Sequence, residues 1–323
     1  MRKGTTAWLV AATVLILAGC ILFAGVMTIL DWDFFKLVTV EYEINTYTVS
    51  EAFDSIVIDT DTADVVFVPS EDGVCRVECR EEKNAGHSVA VKDGTLTVAL
   101  RDDRSAGSWI KGVGLNFGTP EIRVCLSETM YDSLRIDEST GDVAVPEDFT
   151  FNTVDLSAST GDIAFRAAVL GAVRIETSTG DIRVENTTVG SLDLAVSTGD
   201  VTVSGVACTG DLAVGVSTGE VHLRDVVCGR VVSDGNTGDI SLDNVVAEES
   251  FFIERSTGDV TFNGSDAAAI SVKTDTGDVT GSLLSNKMFV IDTNTGDVDV
   301  PETVDGGRCE IVTDTGDIEL NIL

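Results

Sequence analysis

Ten acidic residues recur at nearly constant spacing in the second half of the chain, and their carboxylates are the groups that could do chemistry. Each one ends a Thr-Gly-Asp or Thr-Gly-Glu tripeptide, and the tripeptides follow one another at intervals of 19 or 20 residues. Clustered carboxylates attract hard cations such as Ca2+, whereas an Asp next to a turn glycine commonly accepts hydrogen bonds within its own turn, here with the neighbouring Thr hydroxyl as a further donor. Uptake of protons by some members is a third way to relieve their repulsion. The sequence favours turn chemistry and leaves a Ca2+-binding carboxylate file as the alternative for Asp142, Asp162, Asp181, Asp200, Glu220, Asp239, Asp259, Asp278, Asp297 and Asp317.

Apolar residues flank the tripeptides at fixed distances. Positions six and four residues before the Thr, and three and five residues after it, are apolar in almost every repeat, as in Val173, Ile175, Ile182 and Val184. A period of two is typical of a strand with one buried face. The parity changes across the tripeptide, which indicates a corner at the glycine that turns both strands toward one interior.

These repeats predict an all-β fold. A unit of 19 or 20 residues buries its apolar face only against its neighbours, which predicts a parallel β-solenoid, or β-helix-like rod, of ten coils over residues 131–323. Val189, Val206 and Val226 are expected to line a third, looser side. A row of antiparallel hairpins in a sandwich or barrel is the competing interpretation, but the constant period favours the solenoid.

Residues 51–130 lack this period and are expected to form an irregular β cap on the first coil. Thr60-Asp61-Thr62 resembles a degenerate copy of the repeated turn, and the two alternating runs around Asp93-Gly94 predict a β-hairpin. The glycine-rich segment 101–119 is expected to cover the end of the apolar core, with a binding loop as the alternative.

The N-terminus predicts the location of the protein. Residues 1–6 carry two positive charges, and residues 7–30 carry none of either sign over a length that suffices for a transmembrane helix. Because positive residues stay on the cytoplasmic side, residues 1–6 are expected inside, 31–50 form a juxtamembrane segment, and the β-domain lies outside. The alternative is a lipoprotein signal that ends in Leu-Ala-Gly-Cys, with acylation at Cys20.

Composition argues against several classes of function. A formal net charge of -33 disfavours nucleic acid and anionic membrane surfaces as partners. The two histidines, His87 and His222, have no Ser or Cys in a recognisable catalytic constellation, and both are expected at the surface. The regular repeat leaves no long loop for a catalytic cleft. We therefore expect no enzyme and no cofactor, with a carbohydrate-active β-helix as the weakest alternative.

Seven cysteines are present, and the positions of two of them predict a disulfide. Cys208 and Cys228 occupy the same place in successive repeats, about 4.8 Å apart, which lies within the range for a disulfide. Cys75 and Cys79 share one strand face and are too far apart to pair with each other, whereas Cys125 could pair with either. Cys309 falls in an apolar position and is expected in the core. No cysteine spacing matches a zinc site.

The repeated motif carries a family resemblance. Ser-Thr-Gly-Asp followed by Val or Ile, within 158–163, 177–182 and 196–201, resembles the bacterial putative-adhesin β-strand-repeat family, domain of unknown function 4097. The apolar helix followed by segment 33–37 is similar to membrane-anchored members. The resemblance covers nearly the whole chain, implies a β-helical fold in the cell envelope and supplies no catalytic residues. Some relatives accompany envelope-stress operons, which implies a regulatory alternative.

These features predict a non-catalytic, membrane-anchored extracytoplasmic module that binds or scaffolds as an adhesin does. Its expected partners are the membrane, through the helix, and a cell-wall polymer or envelope protein, but no nucleic acid. An envelope-stress sensor that contacts a membrane signalling protein is the alternative. Because the sequence ends on Asn321, Ile322 and Leu323 directly after an apolar strand, this edge is expected to be open for self-association.

Overall fold

A computed structural model describes residues 3–29, 32, 42–82, 85–102, 119–127 and 129–323. The chain begins with one helix, α1 (Lys3–Ile29), whose segment Ala12–Ile29 is apolar and long enough to cross a membrane. This segment packs on almost nothing else in the structure. The predicted apolar N-terminal helix is therefore confirmed. The predicted loop or cover at 101–119 falls mostly outside the described residues.

The rest of the described chain is built from 24 strands. The seven strands of the N-terminal part are β1 (Tyr42–Val49), β2 (Ser55–Thr62), β3 (Asp64–Pro69), β4 (Cys75–Glu82), β5 (Ala85–Lys92), β6 (Thr95–Asp102) and β7 (Glu121–Leu126). The regular repeats contain β8 (Met130–Thr140), β9 (Val143–Val145), β10 (Thr150–Thr160), β11 (Ile163–Phe165), β12 (Ala168–Thr179), β13 (Ile182–Glu185), β14 (Thr188–Thr198), β15 (Val201–Cys208), β16 (Asp211–Thr218), β17 (Val221–Thr237), β18 (Ile240–Thr257) and β19 (Val260–Thr276). The last repeats contain β20 (Val279–Leu283), β21 (Lys287–Thr295), β22 (Val298–Asp299), β23 (Gly307–Thr315) and β24 (Ile318–Ile322).

The repeats stack as parallel coils. Strands before the corner pair with each other from coil to coil, with Thr140, Thr160 and Thr179 as successive register partners. Strands after the corner form a second parallel ladder, as in β9, β11 and β13. This pairing confirms the β-solenoid and contradicts the sandwich of antiparallel hairpins for these repeats.

The core consists of the residues that the apolar period predicts to face inward. Residues on the inner faces of both ladders are almost fully buried, including Ile175 and Ile182. The third side is also buried, at 1%, 2% and 0% exposure for Val189, Val206 and Val226. Each of these coils has a second corner, which lies at Asn186 in the first of them, with a backbone φ of 51°. The corresponding corner residues of the later coils have φ values of 52° to 63° and are Gly205, Asp225, Asn244 and Gly264. Asn, Asp and Gly are the residues that adopt this left-handed conformation most readily.

At the N-terminal end, an additional coil lies inside the stack. β2 pairs in parallel with β8 on one side and with β6 on the other, and β3 lies between β9 and β7. Thr62 aligns with Thr140, so the degenerate corner is Thr62-Ala63-Asp64 and the predicted alignment of Thr60-Asp61-Thr62 is wrong by two residues. The hairpin around Asp93-Gly94 is confirmed, since β5 and β6 pair in antiparallel register across it. β4 and β1 complete the cap in antiparallel register.

At the other end, the last two coils stack in the reverse of chain order. β23 pairs with β19 and β21, and β24 pairs with β20 and β22, so the final coil is the penultimate layer. The final coil is not the outermost layer, as the predicted open edge requires: β24 pairs with β20 along its whole length, and with β22 on its other side at Ile318 and Glu319. Asn321 and Ile322 pair on the β20 side alone, so the predicted open edge at 321–323 is present only beyond the short strand β22. At this end of the rod, β21 and β22 form the outermost described layer, and its free edge exposes Met288, Val290 and Val298 by nearly half. Self-association at an open edge stays a prediction, and we now expect it at the layer of β21 and β22.

The stacking order can be tested by crosslinking. Ser271 and Glu310 are register partners, as are Glu310 and Val290, so Ser271 and Val290 lie two layers apart, at about 10 Å. We expect the pair Ser271→Cys and Glu310→Cys to form a disulfide under mild oxidation, because one layer separates them by a bridging distance. The control pair Ser271→Cys and Val290→Cys should stay reduced. Peptide mass spectrometry distinguishes the two, and the opposite result would establish stacking in chain order.

Candidate functional site

The ten predicted carboxylates lie in one column along the rod, because the Thr residues before them are register partners from coil to coil. The structure adds Asp64 at the N-terminal end of this carboxylate file, since Thr62 aligns with Thr140. Sequence reasoning missed Asp64 because Ala63 replaces the glycine, although Thr62-Ala63-Asp64-Val65 retains the rest of the motif. The file has eleven members, in the spatial order Asp64, Asp142, Asp162, Asp181, Asp200, Glu220, Asp239, Asp259, Asp278, Asp317 and Asp297.

Most carboxylates of the file accept a hydrogen bond from the neighbouring coil. Asp142 Oδ1 accepts from the backbone N–H of Asp162, and Asp162 Oδ1 accepts from that of Asp181, both at 2.8 Å. The same bond occurs in nine of the ten steps, at 2.8 to 3.0 Å. The donors are thus amides of the next layer rather than of the residue's own turn, because an aspartate side chain spans one inter-strand spacing.

The glycine of the tripeptide is required by the closeness of the layers. Gly238 has φ +127°, a conformation that residues with a side chain rarely adopt, and a Cβ there would lie 1.9 Å from the carbonyl oxygen of Gly219. That contact is far below any van der Waals distance. The corner can therefore stack at this spacing only with glycine, which explains the invariance of Gly in the ten repeats.

Charge repulsion between neighbouring carboxylates and the hydrogen bonds that they accept have opposite effects of similar size on the stability of the file. Two carboxylates about 4.8 Å apart repel by about 1 kcal/mol in water, while a hydrogen bond to a charged acceptor contributes about 1.5 to 3 kcal/mol, less where solvent competes. Salt screens the longer-range repulsion and leaves the short-range hydrogen bond largely intact. A cation is therefore not needed to hold these residues together, and Ca2+ binding by the file stays a prediction.

Glu220 interrupts the hydrogen-bonded series. Its backbone N–H donates to Asp200 Oδ1 at 2.8 Å, but within the described chain no hydrogen bond joins the Asp239 N–H to the longer Glu220 side chain. The Glu220 carboxylate instead lies 3.0 Å from His222 Nε2, and His222 Nδ1 lies 2.9 Å from Ser241 Oγ. His222 is exposed, as predicted.

A further carboxyl group lies behind the first regular corner. Glu138 is 2% exposed, and neither of its oxygens has a hydrogen bond of normal geometry. Burial, followed by the negative charges of Asp64 and Asp142, raises the pKa of Glu138 to about 8, and the nearby Ala63 backbone is the smallest contribution, in the opposite direction. Sequence reasoning missed Glu138, although the residues at its position in the next three coils are Ala158, Thr177 and Val196, so a charged residue among small and apolar ones was the available signal.

The remaining predicted residues divide into two groups. Cys208 and Cys228 are buried in adjacent coils, since Ala207 and Val227 are register partners, but all seven cysteines are free thiols in the structure. Their disulfide stays a prediction. Cys309 is fully buried in the core, as predicted. The expectation of a surface location is wrong for His87, which is 3% exposed because the cap strands β4 and β5 enclose it.

The fold and the carboxylate file define a class: acidic β-solenoid repeat proteins with stacked Thr-Gly-Asp corners. The chain belongs to the Toastrack DUF4097 family, whose sequence profile matches residues 53–225 and 208–323. The resemblance drawn from the repeated motif is therefore confirmed. No curated protein matches the sequence significantly.

Solved structures share this fold at low sequence identity. A putative lipid binding protein from Parabacteroides distasonis is 15% identical, with a TM-score of 0.53 over 74% of this chain and 96% of its own. A putative adhesin from Parabacteroides merdae is 12% identical, with a TM-score of 0.51 over 76% of this chain and 97% of its own. At these identities the similarity establishes the fold alone.

The contribution of the inter-coil hydrogen bond can be measured at Asp259, which accepts from the Asp278 N–H at 2.8 Å. We expect Asp259→Ala to lower the free energy of unfolding by about 1 kcal/mol, because one hydrogen bond is lost. Asp259→Asn should change it little, since the amide oxygen can accept the same bond and the charge repulsion falls. Urea unfolding followed by circular dichroism gives both values, with exposed Glu248→Ala as control. Equal stability of Asp259→Ala and the control would show that the bond contributes nothing.

Glu138 predicts a pH dependence. Its pKa of about 8 in the folded chain exceeds the ordinary value of 4.5, so the folded state holds the proton more tightly. Stability is therefore greatest on the acidic side and falls as pH rises from about 4.5 through about 8. We expect Glu138→Gln to flatten this part of the stability profile and to stabilise the protein at the alkaline end. The exposed neighbour Asp137, changed to Asn, is the control, and an unchanged profile in Glu138→Gln would contradict the assignment.

Proposed function

We propose that the protein is a non-catalytic, membrane-anchored extracytoplasmic rod that binds or scaffolds an extended partner in the cell envelope. The observation that carries this proposal is an open groove of about 480 Å3 that runs beside the carboxylate file across five coils. It is lined at equivalent positions by Ser159, Ser178, Ser197, Ser217 and Asn236. Groups repeated at every layer suit a ligand that itself repeats, such as a polymer, better than a single small molecule.

The chemistry of the groove restricts the partner. Hydroxyl groups recur along the groove, and Glu176 and Asp234 contribute acidic groups to its lining. The carboxylate file follows three residues after the serine of each coil, on a protein with a formal net charge of -33. Polyanions are repelled by such a surface. A cell-wall polymer or envelope protein that offers hydroxyl groups together with ammonium groups, or with bound cations, is complementary to it.

The helix supports a membrane location. α1 continues without interruption through Cys20 to Ile29, which favours a membrane span over a signal that is cleaved before Cys20. In this arrangement residues 1–6 lie in the cytoplasm and the rod lies outside. The mass of the mature protein distinguishes the two forms, because the lipoprotein would lack residues 1–19 and carry acyl chains.

A catalytic role is not part of the proposal. The groove is shallow and open, and its hydroxyl groups have no described histidine beside them, since His222 lies on the far side of the corner and His87 is buried in the cap. The name of the Parabacteroides merdae structure, a putative adhesin, fits the proposed surface module. Release of reducing sugars from wall polymers by the purified chain would overturn this part.

Binding to wall material tests the proposal. Full-length protein in detergent micelles is incubated with isolated cell-wall sacculi, and the retained fraction is measured as salt is raised. We expect retention that weakens in the triple variant Asp162→Asn, Asp200→Asn and Asp239→Asn, because these changes remove charge beside the groove while the amide oxygens preserve the inter-coil hydrogen bonds.

The matched control removes three charges away from the groove, through Glu147→Gln, Asp148→Asn and Glu248→Gln. Equal retention of both triple variants, or no retention of the wild type, would contradict a polymer-binding role. Absence of retention together with a membrane protein crosslinked to residues 31–50 would favour the signalling alternative. Sedimentation of the same preparation reports on self-association through β21 and β22.

A further inference from the structure

The capped end of the rod contains a buried group of metal-ligating side chains, which we call the cap cluster: Cys79, Glu81 and His87. Cys79 and Glu81 lie two residues apart on β4, so their side chains point to the same face of the strand. His87 comes from β5. The three residues are 0%, 1% and 3% exposed, and their thiol, carboxylate and imidazole ligand atoms all lie within 4.8 Å of one another.

The cluster occupies the place where the two faces of the solenoid separate. β4 pairs with β7 and β1, whereas β5 pairs with β6, and among the described residues β4 and β5 pair with each other only at Glu82 and Ala85. From the coil of β2 and β3 onward, this junction is closed by a stacked corner, first Thr62-Ala63-Asp64 and then the Thr-Gly-Asp tripeptides. The connection between β6 and β7 lies mostly outside the described residues. Thr60, two residues before the first corner, reaches the cluster from β2. Polar side chains thus replace a stacked corner at this end of the rod.

Hydrogen bonds orient the carboxylate and the imidazole. Glu81 Oε2 accepts from the His87 backbone N–H at 2.6 Å and lies 2.7 Å from His87 Nδ1, and Glu81 Oε1 accepts from Asn45 Nδ2 at 2.7 Å. His87 Nε2 lies 3.0 Å from Thr60 Oγ1. Metal-binding histidines are commonly held in this way by a partner on the second ring nitrogen.

The thiol is the member of the cluster without such partners. Cys79 makes no hydrogen bond within the described residues, and its fully buried thiol lies within 4.8 Å of the ligand atoms of Glu81 and His87. A Cβ at Gly86 would lie 3.1 Å from Glu81 Oε1 and 3.6 Å from Arg101 Nη2, so one cationic side chain is already close to the Glu81 carboxylate, which lies beside the Cys79 thiol. A divalent ion between them would be attracted by both groups once the thiol loses its proton.

We propose that Cys79 Sγ, a carboxylate oxygen of Glu81 and His87 Nδ1 form a site for a divalent thiophilic metal ion of the Zn2+ class. Zn2+ takes this combination of sulfur, nitrogen and oxygen ligands, whereas Ca2+ and Mg2+ require oxygen ligands throughout. Three protein ligands leave one tetrahedral position for water. The site is separate from the carboxylate file, and it does not depend on the proposed binding of polymers.

Proton changes on metal binding balance within the cluster. Cys79 releases its thiol proton to solvent when sulfur binds the ion. The imidazole remains neutral: its proton, which lies on Nδ1 when Nδ1 donates to Glu81, is carried on Nε2 in the metal-bound form and is donated to Thr60 Oγ1. The Thr60 hydroxyl can donate or accept, so it partners both tautomers.

A catalytic reading of the same residues is less well supported. Glu81, His87 and Thr60 follow the order carboxylate, imidazole and hydroxyl of a hydrolytic triad, with His87 between the other two. However, Thr60 is 4% exposed, so a substrate carbonyl could not reach its oxygen. A bound ion would have a structural role, because it would connect β4 and β5 where few backbone hydrogen bonds join the two strands.

Cobalt spectroscopy on the full-length protein in detergent micelles tests the site. After removal of metal with a chelator, Co2+ is titrated and then displaced with Zn2+. We expect one equivalent of Co2+ to produce the thiolate-to-cobalt charge-transfer absorption and the visible bands of a tetrahedral ion. Cys79→Ala should abolish the charge-transfer absorption and weaken Zn2+ binding by at least about 100-fold, because the soft ligand is lost. Cys309→Ala, at an equally buried core thiol, should change neither.

The role of Thr60 provides an independent readout. Thr60→Val preserves shape and removes the partner of His87 Nε2, so we expect Zn2+ affinity to fall by about 10- to 100-fold. Thr313→Val, at the equivalent position of another coil, should leave affinity unchanged. If Cys79→Ala does not fold, a variant that retains Cys79 and lacks the other six cysteines must still give the absorption. No thiolate absorption in the wild type, or one that persists without Cys79, would overturn the proposal.

Discussion

The close contact between glycines of adjacent corners is the constraint on which the rest of the structure depends. In each repeat the chain turns sharply with a left-handed glycine, whose missing side chain leaves space for the carbonyl oxygen of the glycine in the neighbouring coil. A methyl group at Gly199 would lie 2.1 Å from the oxygen of Gly180. The corner therefore sets the spacing of the layers, and both ladders and the apolar interior follow that spacing.

The acidic edge is a consequence of the same geometry. At the spacing set by the corner, an aspartate carboxylate reaches the amide of the next aspartate, so one residue type satisfies a backbone donor in every layer. Glutamate is too long for this bond, which explains why Glu220 is followed by the one step without it. The carboxylates thus have a structural role first, and any ligand uses groups that the fold already holds in place.

The terminal layers of the rod differ in structure from the layers in its middle. At one end the final coil lies inside the stack, which leaves β21 and β22 with the free edge. At the other end, antiparallel strands and a buried polar cluster around His87 replace the corner. A regular repeat has no intrinsic end, because every layer presents the same unsatisfied edge. Irregular sequence is therefore concentrated in the terminal layers, where the chemistry is also least repetitive.

The sequence by itself determined the parts that depend on neighbouring residues in the chain. The period of two on each side of Thr-Gly-Asp and the constant repeat length were sufficient to predict two strands, a corner and a parallel stack, because each coil contacts copies of itself. Only the tertiary structure decided which coils are adjacent at the ends, that Asp64 joins the file, and that Glu138 and His87 are buried. The stacking order and the burial of His87 depend on pairings between distant segments, such as Ser55–Thr62 with both Thr95–Asp102 and Met130–Thr140, which no local pattern records. Asp64 and Glu138 did carry local signals, but only the register between coils showed what they meant.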